Sequence, residues 1–451
     1  MTPELQQALA NANMLPQQTP DQEWGSVTAS KTPEGPRQAD PAVVALNMKG
    51  HNHAEAGRYD LALEYFRKAL RKAPGNVGLI CNIGAVFQAI GRYDDAERLY
   101  RIAYEADKES GRPSYLLGMM CLMQGKYEEG WCLHETRWKT ISLGRPCPAP
   151  VWYGPPRPTP RHIVLRCEQG VGDTLHFIRY APLLQERFGS RVTVEVQPSI
   201  VRLCKTMGGG VNIMANDEPW PDDMDAFCPL MSCPIIFRGE MPARLPYFHV
   251  EPKRLTVARV GLCWRGNPEQ SQDIRRSIPR ALLQSSFAPS VPMVSLVKPV
   301  EAPAPLAPEM LAPVPEMQLE NEPADVKLRR AAQAKYAQAL HASKETPPPA
   351  WLEPMPPVGD YLETAELVKG LDLVISVCTS VGHLAGALGV PTWTLLRADP
   401  CWRWLRDRRD TPWYPGMRLF RQPSHIKGWL PVLRDVRSEL ERFVACQETV
   451  Q

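Results

Sequence analysis

Asp173 is the first residue of chemical interest, because it ends a glycine-containing loop, EQGVGD, in which Gly170 and Gly172 precede it. The loop follows an apolar run, 162–167, and leads into a segment with helical periodicity, 174–188. A carboxylate at a helix start is stabilised as an anion by the helix dipole. It can cap the helix, as aspartate often does, or it can accept a proton in a reaction.

A second polar loop lies between an apolar strand-like run, 371–377, and a helical segment of small residues, 381–388. Backbone N–H groups and the dipole at a helix start attract anions such as phosphate, and hydroxyl groups can add donors. His383 could donate to a phosphate oxygen, although a histidine on such a helix is more often a buried structural residue. The candidate anion-binding residues here are Thr379, Ser380, Gly382 and His383.

Two adjacent arginines, Arg275 and Arg276, follow another predicted strand, 257–264. The planar guanidinium group suits phosphate geometry, so they could neutralise a diphosphate. Simple solvation at the surface is an equally good interpretation. The acidic run Asp222-Asp223-Met224-Asp225 is interpreted as a solvated turn, and no metal site is predicted.

The elements that must position these groups alternate between strand and helix, which predicts two parallel sheets. Ligands of such sheets bind at the carboxyl ends of the strands. An amphipathic helix carrying Leu433, Val436, Leu440 and Phe443 is predicted at the end of the chain. The stretch 402–421 mixes tryptophans with arginines, and we expect most of its aromatic residues to build the core of the second half.

A repeat with a period of 34 residues precedes these elements, since Gly57-Arg58-Tyr59-Asp60, Gly91-Arg92-Tyr93-Asp94 and Gly125-Lys126-Tyr127-Glu128 align. A second glycine recurs in the same register at Gly50, Gly84 and Gly118. The period and the pattern resemble tetratricopeptide repeats, which stack as pairs of helices into a solenoid. Their surface would bind a peptide or another protein, or the repeats would serve as a rigid spacer.

The composition is that of an ordinary globular protein, with 44% hydrophobic residues, 22% charged residues and a net charge of +3. This near-neutral charge gives no reason to expect nucleic acid as a partner. No apolar run is long enough to span a membrane and no signal pattern begins the chain, so we expect a cytoplasmic protein. The twelve cysteines form no C-x-x-C pair, which argues against a zinc site.

The predicted organisation follows from the repeats and from clusters among the 47 prolines. A proline-rich insert, 299–357, interrupts the second half, with a helix predicted over 324–342; it is an active-site lid or, more simply, an expanded surface loop. The full prediction is a disordered N-terminus (1–40), repeats (41–140), a linker (141–160), two α/β halves (161–255 and 256–430) and a terminal helix (431–451).

Four motifs resemble bacterial tetratricopeptide proteins with a heptosyltransferase-like module of glycosyltransferase family nine. They are EQGVGDTLHFIRY (168–180), GLCWRGNP with DIRRSIP (261–279), LDLVISVCTSVGHLAGALGVPTW (371–393) and WRWLRDRRDTPWYPGMRLFRQ (402–422). The resemblance implies an α-helical solenoid followed by a GT-B module, which is two Rossmann-like domains with a cleft between them. The chain departs from the family pattern at Cys378, where the family usually has aspartate.

The resemblance also implies roles for the candidate residues. Asp173 matches the catalytic base, which takes a proton from the acceptor hydroxyl. The other predicted site residues would bind the nucleotide-sugar donor or the substrate; they are Gly170, Gly172, Trp264, Gly266, Asn267, Arg275, Arg276, Thr379, Ser380, Gly382 and His383. No metal or other cofactor is expected.

The sequence therefore predicts a metal-independent glycosyltransferase of the hexosyl- or heptosyl-transfer type. It would use a nucleotide sugar as donor and a protein or glycan acceptor that the repeats help to recruit. The alternative is an inactive GT-B-like scaffold that acts through protein interactions of its repeats, and Cys378 favours it.

Overall fold

The computed structural model of the chain describes residues 40–139, 145–242, 245–267, 273–287, 289, 291–298, 349–424 and 428–448. The predicted disordered N-terminus up to residue 39 and the predicted helix over 324–342 lie outside these residues. The chain divides into two compact units. One contains the residues up to Pro148 with Pro234–Met241 and Ala398–Asp407, and the other contains Ala149–Cys233, Pro242–Arg397 and the residues from Arg408 onward.

The first unit consists of paired helices that confirm the predicted repeats. The helices are α1 (Pro41–Glu55), α2 (Tyr59–Lys72), α3 (Val77–Ala89), α4 (Tyr93–Ala106), α5 (Gly111–Met123) and α6 (Tyr127–His134), followed by a 3₁₀ turn (Glu135–Lys139). The turn inside each pair places a glycine in the left-handed region, with φ of +70° at Gly57, +83° at Gly91 and +76° at Gly125. Glycine adopts this conformation without steric cost, which explains why it recurs there.

The second recurring glycine permits close packing of the two helices in a repeat. A Cβ atom at Gly50 would lie 2.4 Å from the Phe66 ring, and one at Gly84 would lie 2.6 Å from the Tyr100 ring. Each ring is buried against the glycine of its own repeat. In the first two repeats, the 34-residue period therefore repeats a specific contact between a glycine and an aromatic ring, whereas a Cβ atom at Gly118 would meet the backbone of α6.

The third repeat is completed by segments from far along the chain. Its second helix, α6, has only 8 residues, whereas α2 and α4 have 14 each. Trp131 of α6 packs edge-on against Trp402, with ring centroids 5.1 Å apart. Tyr93 donates a hydrogen bond to the carbonyl of Ala398 (2.9 Å). Trp402 and Trp404, which we expected in the core of the second α/β half, lie instead in the repeat unit.

The second unit contains two parallel sheets. The first has the order β3-β2-β1-β4, with every neighbouring pair parallel. Its strands are β1 (His162–Arg166), β2 (Arg191–Val196), β3 (Asn212–Ala215) and β4 (Ala226–Pro229), and its helices are α7 (Val171–Phe177), α8 (Tyr180–Phe188), α9 (Val201–Cys204) and α10 (Cys233–Ile236). Helix α10 is the point at which the chain passes into the repeat unit.

The second sheet has the order β10-β9-β8-β5-β6-β7 and is also parallel throughout. Its strands are β5 (Val260–Cys263), β6 (Met293–Ser295), β7 (Leu352–Glu353), β8 (Leu373–Val377), β9 (Thr392–Leu396) and β10 (Met417–Arg421). Its helices are α11 (Asp273–Arg276), α12 (Arg280–Ser286), α13 (Tyr361–Lys369), α14 (Ser380–Ala387) and α15 (Leu430–Glu448). Val432, Leu433, Val436 and Leu440 of α15 join the core of this half.

Strand β7 lies inside the segment that we predicted as a proline-rich insert. It pairs with β6, and Leu352 belongs to the hydrophobic core. Residues 299–348 of the insert lie outside the described part of the chain. The second sheet therefore includes a two-residue strand from this segment, which its proline content did not predict.

Across the described residues, the helices are too short or too polar for any of them to cross a membrane.

Candidate functional site

Asp173 lies in the first turn of α7, just after the carboxyl end of β1. The backbone N–H of Gly170 donates to its Oδ2 atom (3.1 Å). Asp173 therefore does cap the helix, and its side chain is half-buried. A Cβ atom at Gly170 would meet the same carboxylate at 3.5 Å, an ordinary contact.

The second polar loop follows β8, and Thr379 is the N-cap residue of α14. The Thr379 hydroxyl is within hydrogen-bond distance of the Ser376 hydroxyl (3.1 Å) and lies 3.6 Å from the Cys263 thiol. Burial raises the pKa of that thiol. The Ser380 hydroxyl lies 3.0 Å from the hydroxyl of Tyr361 on α13. Side-chain contacts thus orient both hydroxyl groups at the start of α14.

The starts of α7 and α14 lie against each other. A Cβ atom at Gly172 would be 3.3 Å from Cδ2 of His383 and 3.4 Å from Cα of Ser380. Contacts at that distance are tight for any side chain, so glycine permits this close approach. The arrangement brings Asp173 into the neighbourhood of Ser380 and His383, at the carboxyl ends of strands from two different sheets.

His383 is buried, with 6% of its surface exposed, and its Nδ1 atom lies 3.0 Å from the hydroxyl oxygen of Tyr414. The same hydroxyl lies 3.1 Å from Nδ1 of His176 on α7. Gly386 makes room for the tyrosine ring, because a Cβ atom there would be 2.5 Å from its Cδ1 atom. One phenol therefore contacts a histidine from each half of the unit.

Arg179 extends this buried group. Its guanidinium donates to the carbonyl of Trp413 (2.7 Å) and to the hydroxyl of Tyr247 (3.2 Å), and it lies 4.6 Å from the centre of the Tyr414 ring. The Tyr247 hydroxyl in turn donates to the carbonyl of Leu175 (2.6 Å). The pKa of Tyr414 is well above its usual value, chiefly because the ring is fully buried.

The second arginine of the predicted pair is engaged within its own loop. Arg276 forms an ion pair with Asp273 (2.8 Å) and donates to the carbonyl of Cys378 (3.3 Å). Asp273 also accepts hydrogen bonds from the backbone N–H of Gly266 (3.1 Å) and the hydroxyl of Ser277 (2.8 Å). Through Arg276, the buried Asp273 carboxylate thus supports the backbone at Cys378, the first residue after β8.

The remaining predicted residues are less tightly grouped. Trp264 is 5% exposed and belongs to the hydrophobic core, so its ring does not line an open site. Asn267 is exposed and Arg275 is half-buried. Gly382 faces its own sheet, since a Cβ atom there would lie 3.6 Å from the Ser376 hydroxyl.

Sequence reasoning missed four residues that hold the site together: His176, Arg179, Tyr361 and Tyr414. Three of them lie within the quoted motifs, in HFIRY and WYPG, which was the available signal. Their spacing alone could not identify partners 31 and 238 residues away.

Two carboxylates of the acidic run 222–225 form hydrogen bonds and ion pairs with other protein groups. Asp223 pairs with Arg191 and with His162, while Asp225 accepts from the backbone N–H groups of Arg161 (2.7 Å) and His162 (3.1 Å). Within the described ranges, no cluster of three or more histidine, cysteine or acidic side chains could hold a metal ion.

Comparison with known proteins identifies the repeats. One tetratricopeptide-repeat model matches residues 43–76 and a second matches residues 82–130. No curated protein matches the chain.

Solved structures of glycosyltransferases resemble the chain at low identity. A dodecameric iron-containing heptosyltransferase, TibC of enterotoxigenic E. coli, in complex with ADP-D-beta-D-heptose is 13% identical, with a TM-score of 0.34, over 52% of this chain and 58% of that one. E. coli heptosyltransferase WaaC is 11% identical, with a TM-score of 0.34, over 62% and 99%. A Thermobaculum terrenum O-GlcNAc transferase is 14% identical, with a TM-score of 0.26, over 90% and 93%.

The match thus spans little more than half of the first of these chains. Likenesses at such identities and TM-scores do not by themselves establish what this chain binds. The repeat models and the two parallel sheets are the findings that define its architecture. Residues 43–130 are tetratricopeptide repeats, and an α/β module with two parallel sheets follows them.

Proposed function

We propose that this chain is a metal-independent glycosyltransferase that moves a sugar from a nucleotide-sugar donor to a protein or glycan acceptor. The observation that carries the proposal is the approach of two helix starts, where Gly172 lies against Ser380 and His383. Each helix follows a strand at the carboxyl edge of its own sheet, where ligands of parallel sheets bind. The motif resemblance supports the same assignment.

In the proposed reaction, an acceptor hydroxyl oxygen attacks the anomeric carbon of the donor sugar. A new carbon–oxygen bond forms, the bond from that carbon to the diphosphate breaks, and the nucleoside diphosphate leaves with the bonding electrons. The hydroxyl proton passes to the carboxylate of Asp173. Asp173 lies in the first turn of α7, where its carboxylate already accepts from the backbone N–H of Gly170.

The diphosphate would lie at the start of α14. Backbone N–H groups there have no partner within the helix and point toward an anion. Tyr361 holds Ser380 and Tyr414 holds His383. These side chains would therefore lose little conformational freedom when the ligand binds. Arg276 would contribute charge from its position beside the carbonyl of Cys378.

The repeats would help to recruit the acceptor. Their first helices carry a polar row in which Asn82 donates to Asn47 (2.7 Å) and accepts from Arg112 (2.6 Å). Val44 and Met48 are exposed on α1, at 44% and 60%. Polar and apolar groups on adjoining helices are suited to a peptide or protein partner.

Replacement of Asp173 by asparagine tests the catalytic assignment. Asparagine retains an oxygen that can accept from Gly170, so the cap and the fold should persist, but it cannot take up a proton. We expect sugar transfer to fall about 100- to 10,000-fold, the usual contribution of a general base. The measurement is release of nucleoside diphosphate from a panel of UDP-, GDP- and ADP-sugars, with the affinity for the product measured by calorimetry.

Asp222→Asn is the matched control, because Asp222 is exposed in the acidic run of the same half. It makes the same chemical change away from the two helix starts and should leave the rate unchanged. Equal activity of Asp173→Asn and the wild type would remove Asp173 from the mechanism.

A scaffold without catalytic activity is the second candidate, and Cys378 is the observation that favours it. A thermal-shift screen with the same nucleotide sugars separates the two, because a ligand that binds only the folded state raises the apparent stability. No shift with any nucleotide sugar would support the scaffold and exclude the transferase.

A further inference from the structure

The hydroxyl of Tyr414 bridges two histidines from different helices. It lies 3.1 Å from Nδ1 of His176 and 3.0 Å from Nδ1 of His383. The tyrosine is 1% exposed, and both histidines are buried. Water therefore has little access to this contact, and its hydrogen bonds must come from protein groups, which include Tyr247 and Arg179 beside the Tyr414 hydroxyl.

The number of protons restricts how this can happen. A neutral phenol has one proton to donate, so it can donate to only one of the two Nδ1 atoms. The other histidine must carry a proton on its own Nδ1 atom and donate it to the phenol oxygen. When the phenol donates to one Nδ1 atom and accepts from the other, the two neutral histidines therefore have opposite tautomers.

The anion site proposed beside His383 favours one assignment of the two tautomers. Its Cδ2 edge, which adjoins Nε2, faces the start of α7, 3.3 Å from a Cβ atom at Gly172. An Nε2–H group on that side can donate to an anion, whereas a bare Nε2 atom would repel it. In the arrangement that suits an anion, the Nδ1–H group of His176 donates to the Tyr414 oxygen. The Tyr414 hydroxyl then donates to Nδ1 of His383.

We infer that Tyr414 is a positioning residue that holds His383 as its Nε2–H tautomer, oriented to donate to a phosphate oxygen of a nucleoside diphosphate. The ligand, and with it the choice of His383 as the Nε2–H tautomer, rests on the proposed function, whereas the bridging contact of Tyr414 with the two histidines does not. Tyr414 would act through His383 and would not touch the ligand itself.

Nuclear magnetic resonance of ¹⁵N-histidine-labelled protein without ligand tests the tautomers directly. Signals are assigned with His176→Gln and His383→Gln. We expect an Nδ1–H tautomer at His176 and an Nε2–H tautomer at His383. Tyr414→Phe should abolish the Nδ1–H form at His176, because its acceptor is gone. The reversed pattern, or the same tautomer at both positions in the wild type, would overturn the inference.

Ser190→Ala is the control. It also removes a buried hydroxyl of the same unit, one that donates to the carbonyl of Pro160 (2.6 Å), but it touches neither the histidines nor Tyr414. It should leave both tautomers as in the wild type. A change of the same kind in Ser190→Ala would mean that general loosening alters the tautomers, and it would contradict a specific role for Tyr414.

Calorimetry with ADP, UDP and GDP tests the second part. Tyr414→Phe should weaken the best of these ligands about 3- to 10-fold, and it should add no further loss in the His383→Gln background, since coupled residues are not additive. If the two substitutions have fully additive effects on the binding free energy, Tyr414 acts independently of His383, which would contradict the inference. If the wild-type protein binds none of the three, the proposed function and the ligand assignment fail, while the tautomer result still holds or fails by itself.

Discussion

Two buried clusters of histidine, arginine and tryptophan occur in this chain, one in each unit. The repeat cluster consists of Trp131, His134, Arg137, Trp402 and Arg403. The module cluster consists of His176, Arg179, His383, Trp413 and Tyr414. Both join residues that are more than 200 positions apart in sequence, yet the neighbours of their histidines differ.

In the repeat cluster, a histidine lies beside cations. Nδ1 of His134 is 3.1 Å from the guanidinium of Arg137, and burial, together with the charges of Arg137 and Arg403, holds the pKa of His134 well below its usual value. In the module cluster, the histidines lie beside a phenol that can both donate and accept. The same residue types thus keep one histidine neutral and place another against a phenol that can orient it.

The largest expected effect is on the repeat cluster, from Trp402→Ala. Trp402 and Trp131 are each 1% exposed and pack edge-on. Removing a buried tryptophan typically lowers the free energy of unfolding by about 3–5 kcal/mol. Urea unfolding followed by circular dichroism measures the loss.

Val44→Ala is the control for this variant, because Val44 lies in the same unit but is 44% exposed. It should cost far less than Trp402→Ala. A loss below about 1 kcal/mol in Trp402→Ala would mean that the repeats pack without the distant segment, since most buried-core truncations exceed that value.

A smaller effect is expected in the module cluster from Gly386→Ala. The added Cβ atom would lie 2.5 Å from the Tyr414 ring, which is packed on all sides. Overpacking of this kind costs about 1–3 kcal/mol, more than alanine gains as a helix former. Thermal unfolding of the whole chain should show a lower midpoint.

Gly382→Ala makes the same change four residues earlier on α14. Its Cβ atom would have its nearest neighbour at 3.6 Å, an ordinary contact. It should be neutral or slightly stabilising. If both variants behave alike, the close fit between Gly386 and Tyr414 does not contribute to the stability of the cluster.

The smallest effect concerns pH and His134. Below its usual pKa of 6.5, the unfolded chain binds a proton at His134 that the folded unit excludes. Stability therefore falls as the pH is lowered from 6.5, by about 1.4 kcal/mol per pH unit until the folded-state pKa is reached. His134→Phe should remove this component, so its stability should depend less steeply on pH in urea titrations between pH 7.5 and 5. Parallel curves for the two proteins would contradict the assignment.

The sequence was sufficient for the elements and for the neighbourhood of the site. Asp173 and Thr379–Ser380 each follow the carboxyl end of a parallel strand, where ligands of such sheets bind, so they could be expected at one cleft between the two halves, and the structure brings their helices into contact. The role of Gly172 as the point of contact was not foreseen. Neither was the two-residue strand β7, because a single pair of residues leaves no periodic signal.

The assignment of Trp402 and Trp404 to the wrong core has a physical cause. An apolar side chain reveals that it will be buried, but not which surface will cover it. Both tryptophans follow a strand of the second sheet in sequence, yet their segment completes the third repeat. The short α6 was the one local indication that this repeat needed a partner from elsewhere.

Helix pairs, glycine turns and parallel strands could be read from the chain because each depends on local spacing, through hydrogen bonds within a helix or apolar residues at a regular period. The two clusters could not, because each forms only when distant segments meet and bury their polar groups together. A histidine in the sequence has no defined neighbour, and its charge and tautomer depend on the group that folding places against it. For His134 that group is a guanidinium, and for His383 it is a phenol.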